Sequence, residues 1–199
     1  MANLKEIRNR ISSVSSTMQI TSAMKMVSAA KLKKAQDAIT AMRPYSDKLT
    51  QMLVDLSASV DFENVYLNPR KANNKLVICI TSNRGLCGAF NSNVIKHCSE
   101  IAQSSNEKVS FFCIGKKGAD ILSKNFNVIE TNNDIFDELT FENISLIGEV
   151  LMNKFLAKDF DKIEIVYNKF KNAATQIVTT EQFLPIENNK SEDDQKDSA

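Results

Sequence analysis

The sequence predicts an α/β protein: a long N-terminal coiled-coil helix, then a Rossmann-like open sheet, mostly parallel, with an antiparallel hairpin at the end and helices on both faces. Three observations predict it. Residues 2–60 contain no glycine and a single proline, Pro44, and carry apolar side chains three and four positions apart. From residue 75 onward, short β-branched runs alternate with amphipathic stretches. The last two runs are separated only by Lys171–Ala174, too little chain for a crossover, so they must pair as a hairpin.

The opening helix changes character along its length. Leu4, Ile7, Ile11, Val14 and Met18 form one apolar stripe. From Gln19 to Lys34 the residues turn small or basic, with Met24, Met26 and Val27 among them. Small side chains admit close approach of another chain, and methionine is an adaptable apolar contact. The stripe resumes at Ile39, Met42, Leu49, Met52, Leu53 and Leu56. Unbroken, such a helix would run ~85 Å. Pro44 removes the bond to the Thr40 carbonyl and is expected to kink or interrupt the rod.

The expected organisation is a shaft helix over 1–60, a connector over 61–74 rich in asparagine, an α/β domain over 75–185, and an acidic, disordered tail over 186–199. Within the α/β domain, Lys75–Thr81, Lys108–Ile114, Phe126–Glu130, Lys162–Phe170 and Thr175–Leu184 read as strands. Ala89–Ser104, Gly115–Asn125 and Thr140–Lys158 read as helices, and Thr131–Leu139 as a loop.

Charge is nearly balanced overall, at +1, so composition demands neither nucleic acid nor a membrane. Its distribution is uneven. Residues 1–36 hold seven basic side chains (Lys5, Arg8, Arg10, Lys25, Lys31, Lys33, Lys34) against one acid, Glu6. Residues 187–199 hold five acids against two lysines. The basic helix suits an acidic partner; a solvated helix face is the plainer alternative. The opening residues lack the apolar core of a signal peptide, and no run is long enough to span a bilayer. Cys79, Cys87, Cys98 and Cys113 lack metal-site or redox spacing and read as free thiols in a reducing compartment. With His97 the single histidine, a histidine-rich metal site is excluded, and no cofactor is implied.

The stretch with most chemical promise is Ser82–Asn91, SNRGLCGAFN, which follows the first strand and precedes a helix. Many α/β proteins bind phosphate there. The glycines fit neither GxxxxGK[ST] nor GxGxxG, because Gly85 and Gly88 are followed by Ala89 and Phe90. A tight strand-to-helix turn is the reading the residues favour. A nucleotide-binding enzyme using Ser82–Gly88, and a protein contact through Arg84, Leu86 and Cys87, are the alternatives. Cys87 as nucleophile would need His97 as its base, ten residues on and facing away. Gly115–Gly118 could cradle an anion but more simply starts a helix. Asp134, Asp137 and Glu138 fall in a polar loop, and no triad or acid/base pair assembles.

Two stretches together resemble the gamma subunit of F-type ATP synthase, of bacterial type. One is NLKEIRNRISSVSSTMQITSAMKMVSAAKLKKAQ followed by AMRPY; the other is SNRGLCGAFN, in the family's order and spacing. The resemblance runs from Ala2 to about Pro185. It implies a central-stalk rotor shaft that couples proton-driven rotation of the c-ring to nucleotide states of the catalytic β subunits, without catalytic residues of its own. The implied partners are the α3β3 hexamer, the epsilon subunit and the c-ring, with no nucleic acid and no direct membrane insertion. The implied location is peripheral, on the cytoplasmic face of the inner membrane. Met24, Lys25, Lys31, Lys33, Lys34, Arg84, Leu86 and Cys87 would contact β. Leu4, Ile7, Ile11, Val14 and Met18 would form the seam to a C-terminal helix that the family carries beyond this chain's last residue, which suggests a fragment. No closely spaced cysteine pair matches the dithiol of chloroplast members.

Without a partner helix, the stripe from Leu4 to Met18 is expected to fray or self-associate. Hydrogen exchange on a verified monomer checks this: strong protection of residues 4–18 would rule the expectation out.

Overall fold

In a computed structural model of the chain, the described residues are 3–59, 65–172 and 175–186. The expected disordered tail lies almost wholly outside them, as does part of the connector. The chain divides into two compact units, Met1–Ser59 and Val60–Ala199.

The first unit is one helix, α1 (Leu4–Ser59). Asn3 starts it: its side-chain oxygen accepts the Lys5 amide at 3.2 Å and its carbonyl accepts the amides of Glu6 and Ile7. Thr17, Thr21, Thr40 and Thr50 each return their hydroxyl to the carbonyl four residues back, which lets a β-branched polar residue sit inside a helix. Of the kink or interruption expected at Pro44, the interruption does not occur, since the helix continues through it. Proline deprives only the Thr40 carbonyl of its donor, and helical turns on both sides hold the geometry.

The second unit is a five-stranded sheet in the order β3-β2-β1-β4-β5. Its elements are β1 (Asn74–Ile80), α2 (Phe90–Ser104), β2 (Lys108–Ile114), α3 (Lys116–Leu122), β3 (Asn127–Asn132), a 3-10 turn (Asp134–Phe136), α4 (Phe141–Leu156), β4 (Lys162–Phe170) and β5 (Gln176–Leu184). All neighbours are parallel except β4 and β5, the expected hairpin. Successive β1 side chains serve opposite layers. Val77 and Cys79 join Val94, Ile95 and Cys98 of α2, and Leu122 of α3. Leu76 and Ile78 join Leu151 and Phe155 of α4. Both faces are therefore covered, which is why β1 and β2 read as continuous apolar runs rather than alternating ones.

The element boundaries moved where side chains had other work. Phe126 leaves the expected strand to pack edge-on against Phe111, centroids 5.5 Å apart. The expected loop after Glu130 instead extends β3 to Asn132 and adds the 3-10 turn. Thr140 caps α4 from outside, its hydroxyl accepting the Asn143 amide, and Lys158, at φ +65°, lies beyond the helix end.

One clamp fixes the start of the sheet. Asp161, just before β4, accepts the amides of Asn73 at 2.9 Å and Asn74 at 3.1 Å with one carboxylate oxygen. Arg70 lies 4.1 Å over the Phe155 ring and donates to the Phe155 carbonyl at 2.8 Å. The Asn73 amide holds the Asp161 carboxyl below its ordinary value; burial opposes this, while Asn74 and Arg70 add to it. A depressed folded value means stabilisation that is present above the ordinary carboxylate range and lost as pH falls through the depressed value. We predict that Asp161→Ala costs about 1–2 kcal/mol near pH 7. In denaturant titrations the gap between wild type and variant should close in acid; a gap that persists at the lowest pH would contradict this account.

Candidate functional site

The order of the strands reverses between β1 and β4, and the turn after β1 rises from that point, the usual ligand crevice of open α/β sheets. A cleft of about 480 Å³ lies there, lined by Ile80–Arg84, Phe90, Phe136, Asp137, Tyr167 and Asn168. The geometry of the turn decides whether it has donors to offer.

Several of its polar groups bond to one another. Asn91, buried in the first turn of α2, accepts the Ser82 amide at 3.0 Å. Its amide nitrogen faces the Ser82 hydroxyl at 2.9 Å, the Cys87 sulfur at 3.1 Å and the Arg84 carbonyl at 3.2 Å. The Ser82 hydroxyl donates to the Arg84 carbonyl at 2.6 Å. Thr81, Ser82 and Asn83 then occupy the start of α3. The Lys116 amide goes to Asn83 Oδ1, the Lys117 amide to the Ser82 carbonyl and the Gly118 amide to Thr81 Oγ1. The anion cradle considered at Gly115–Gly118 has therefore committed these three donors internally. Gly115 is required there, because at φ +102° an added Cβ would stand 2.1 Å from the Thr81 carbonyl oxygen.

What the turn presents outward is its tip. Leu86 is fully exposed at φ +60°, a left-handed conformation unusual for a branched residue, and Gly88 follows at the same φ in open space. Arg84 and Cys87 are exposed beside it. The structure thus brings Arg84, Leu86 and Cys87 together on one loop. Met24, Lys25, Lys31, Lys33 and Lys34 lie on α1, all exposed, and none of these lysines has an ion-pair partner among the described residues. Leu4, Ile7, Ile11, Val14 and Met18 are likewise solvent-facing, from 46% for Ile7 to 68% for Val14. The helix residues and the turn residues belong to separate units.

The covalent reading finds no base. His97 Nε2 pairs with Thr180 Oγ1 at 2.8 Å and its other nitrogen faces Glu100, so the ring is engaged toward β5 rather than Cys87. Tyr167, on the cleft wall, donates to Glu181 at 2.8 Å; burial and then that carboxylate push its phenol up to about 12. No cluster of candidate metal ligands occurs among the described residues. Sequence reasoning missed the roles of Asn91, Thr81 and Asn83. Asn91 closes the SNRGLCGAFN motif, and a polar residue on the inward side of a helix start was its available signal.

The chain thus exposes apolar and basic stripes on a long helix and an outward leucine on the turn after β1. The family model described as ATP synthase matches residues 3–199. The ATP synthase gamma chain of Flavobacterium psychrophilum is 61% identical over 189 residues, covering 94% of this chain and 66% of that protein. The gamma chain of Flavobacterium johnsoniae is 63% identical over 195 residues, covering 96% and 68%. The chain thus spans about two thirds of the length of these curated relatives. Among solved structures, the central stalk and c-ring of Tetrahymena thermophila mitochondrial ATP synthase matches with TM-score 0.68 and 25% identity, covering 83% of this chain and 72% of that one. The rotor of Euglena gracilis mitochondrial ATP synthase matches with TM-score 0.61 and 26% identity, covering 89% and 61%. The chain belongs to the ATP synthase gamma-chain family.

The four thiols differ in reactivity by position. Cys79 and Cys113 face each other in register on β1 and β2, and Cys98 lies buried in the same cluster. The neighbouring Cys113 would by itself lower the Cys79 value, but Cys98 and burial push it up; Cys79 and burial push Cys113 up as well. Cys87 alone is exposed among the four. A thiol reagent should label one cysteine rapidly in the folded chain, and Cys87→Ser should abolish that phase. Rapid labelling of Cys79 or Cys113 without unfolding would refute the assignment.

Proposed function

We propose that the chain serves as the central-stalk rotor shaft of a bacterial F-type ATP synthase, coupling rotation of the proton-driven c-ring to conformational change in the catalytic β subunits. The observation that carries this is α1: its apolar stripe from Leu4 to Met18 and its basic band from Lys25 to Lys34 both face solvent, in a chain of the gamma family. The stripe is the seam for a partner helix. The basic band, with Met24, Arg84, Leu86 and Cys87, meets acidic loops of β. Exposed ion pairs hold weakly, ~0–1 kcal/mol each, which suits a surface that must slide. ATP is made on β, and this subunit contributes no catalytic group. The α3β3 hexamer, epsilon and the c-ring are its partners. It sits peripherally on the cytoplasmic face of the inner membrane, within the F1 sector; no described helix is long and apolar enough to cross a membrane.

The nucleotide-binding alternative is not favoured: the chain belongs to the gamma-chain family, and the first amide of the turn, that of Ser82, is already taken by Asn91 Oδ1.

Both readings are testable. Calorimetric titration of the isolated chain with ATP and ADP should show no tight site. In an assembled complex carrying the full-length subunit, replacing Lys31, Lys33 and Lys34 together by glutamate should lower ATP-driven proton pumping about fivefold, as ~0.3 kcal/mol per exposed pair implies. Unchanged pumping would mean that this band does not face β.

A further inference from the structure

Helix α4 is apolar on more than one side. Toward the sheet it buries Leu151 and Phe155. Elsewhere it leaves Phe141, Ile144, Leu146 and Val150 exposed, Phe141 by 81% and Leu146 by 60%. An amphipathic surface helix turns its polar residues to water instead. Leu146, Ile147 and Val150 line a cleft of about 520 Å³ together with the buried Phe112 and Ile135. The same cleft is lined by four carboxylates, from Glu130, Asp134, Asp137 and Glu138. Among the described residues, no ion pair neutralises any of the four.

We propose that this cleft is a docking surface for a protein segment that presents apolar side chains flanked by lysine or arginine. The apolar wall supplies the gain from area removed from water, ~25 cal/mol per Å². The unneutralised carboxylates supply the selection for charge. An uncharged apolar occupant would desolvate those carboxylates without pairing them, which is costly. Residues 187–199 of this chain carry five acids against two lysines, the same sign as the cleft, so they do not supply the charge it selects for. An anionic lipid surface does not supply it either. The inference rests on one face of the second unit and does not depend on the rotor reading.

The test uses the full chain and a fluorescent amphipathic peptide of leucine and lysine, with its leucine–glutamate counterpart as control. The lysine peptide should bind and slow hydrogen exchange over residues 130–150, while the glutamate peptide should not. Asp134→Lys with Glu138→Lys, both at exposed positions, should weaken binding about tenfold, and Leu146→Ser should weaken it independently. Any one of four outcomes overturns the proposal: equal binding of the two peptides, protection confined to α1, indifference to the charge reversal, or a cleft already protected before peptide is added because a second copy or another part of the chain covers it.

Discussion

Two-sided burial of β1 is the constraint from which the second unit follows. Four consecutive side chains, Leu76 to Cys79, are withdrawn almost completely from water, alternately into opposite layers. Each is worth about 1.5–3 kcal/mol when fully buried as a large aliphatic, somewhat less for cysteine. A one-residue slip would exchange every partner between the layers, so the register with β2 and β4 is strongly specified. That register carries the end of β1 to a fixed height, where Thr81 meets Gly115 and Gly118 and the following turn begins.

The turn shows how the same local geometry can serve a ligand or a surface. It occupies the switch point of an open sheet, between a strand and a helix, where free amides would favour an anion. Here Thr81, Ser82 and Asn83 satisfy the amides at the start of α3, and Asn91 ties the loop from behind. The tip of the loop is left facing solvent. Leu86 is held outward on a left-handed backbone, a conformation that persists only when the surroundings over-determine it.

Exposed apolar surface divides the molecule into what is finished and what awaits contact. Strands β1 and β2 are covered on both faces. Helix α1, by contrast, keeps its stripe and its methionines in solvent, and α4 keeps an apolar side beside unpaired carboxylates. Such contiguous surface marks interaction sites. The two differ in sign, since α1 is basic and the α4 cleft acidic. The chain therefore exposes two apolar surfaces of opposite charge.

The class of fold was legible in the sequence, because periodicity is a direct consequence of burial. Three-and-four spacing from Leu4 to Met18 announced a helix, and KLVICIT and KVSFFCI announced strands covered on both sides. The strands Lys108–Ile114 and Lys162–Phe170 match the observed elements end to end, and the short link after Phe170 required the hairpin. Tertiary structure decided what periodicity does not encode. Pro44 does not break α1, because one missing donor is small against the turns around it. Phe126 left its strand for an aromatic partner distant in sequence. Above all, Ser82–Asn91 was recognisable as a motif, but that the residues at the end of β1 close the start of α3 was not: Thr81 and Asn83 accept the amides of Gly118 and Lys116, up to 37 positions away, which only the folded sheet brings within hydrogen-bonding distance.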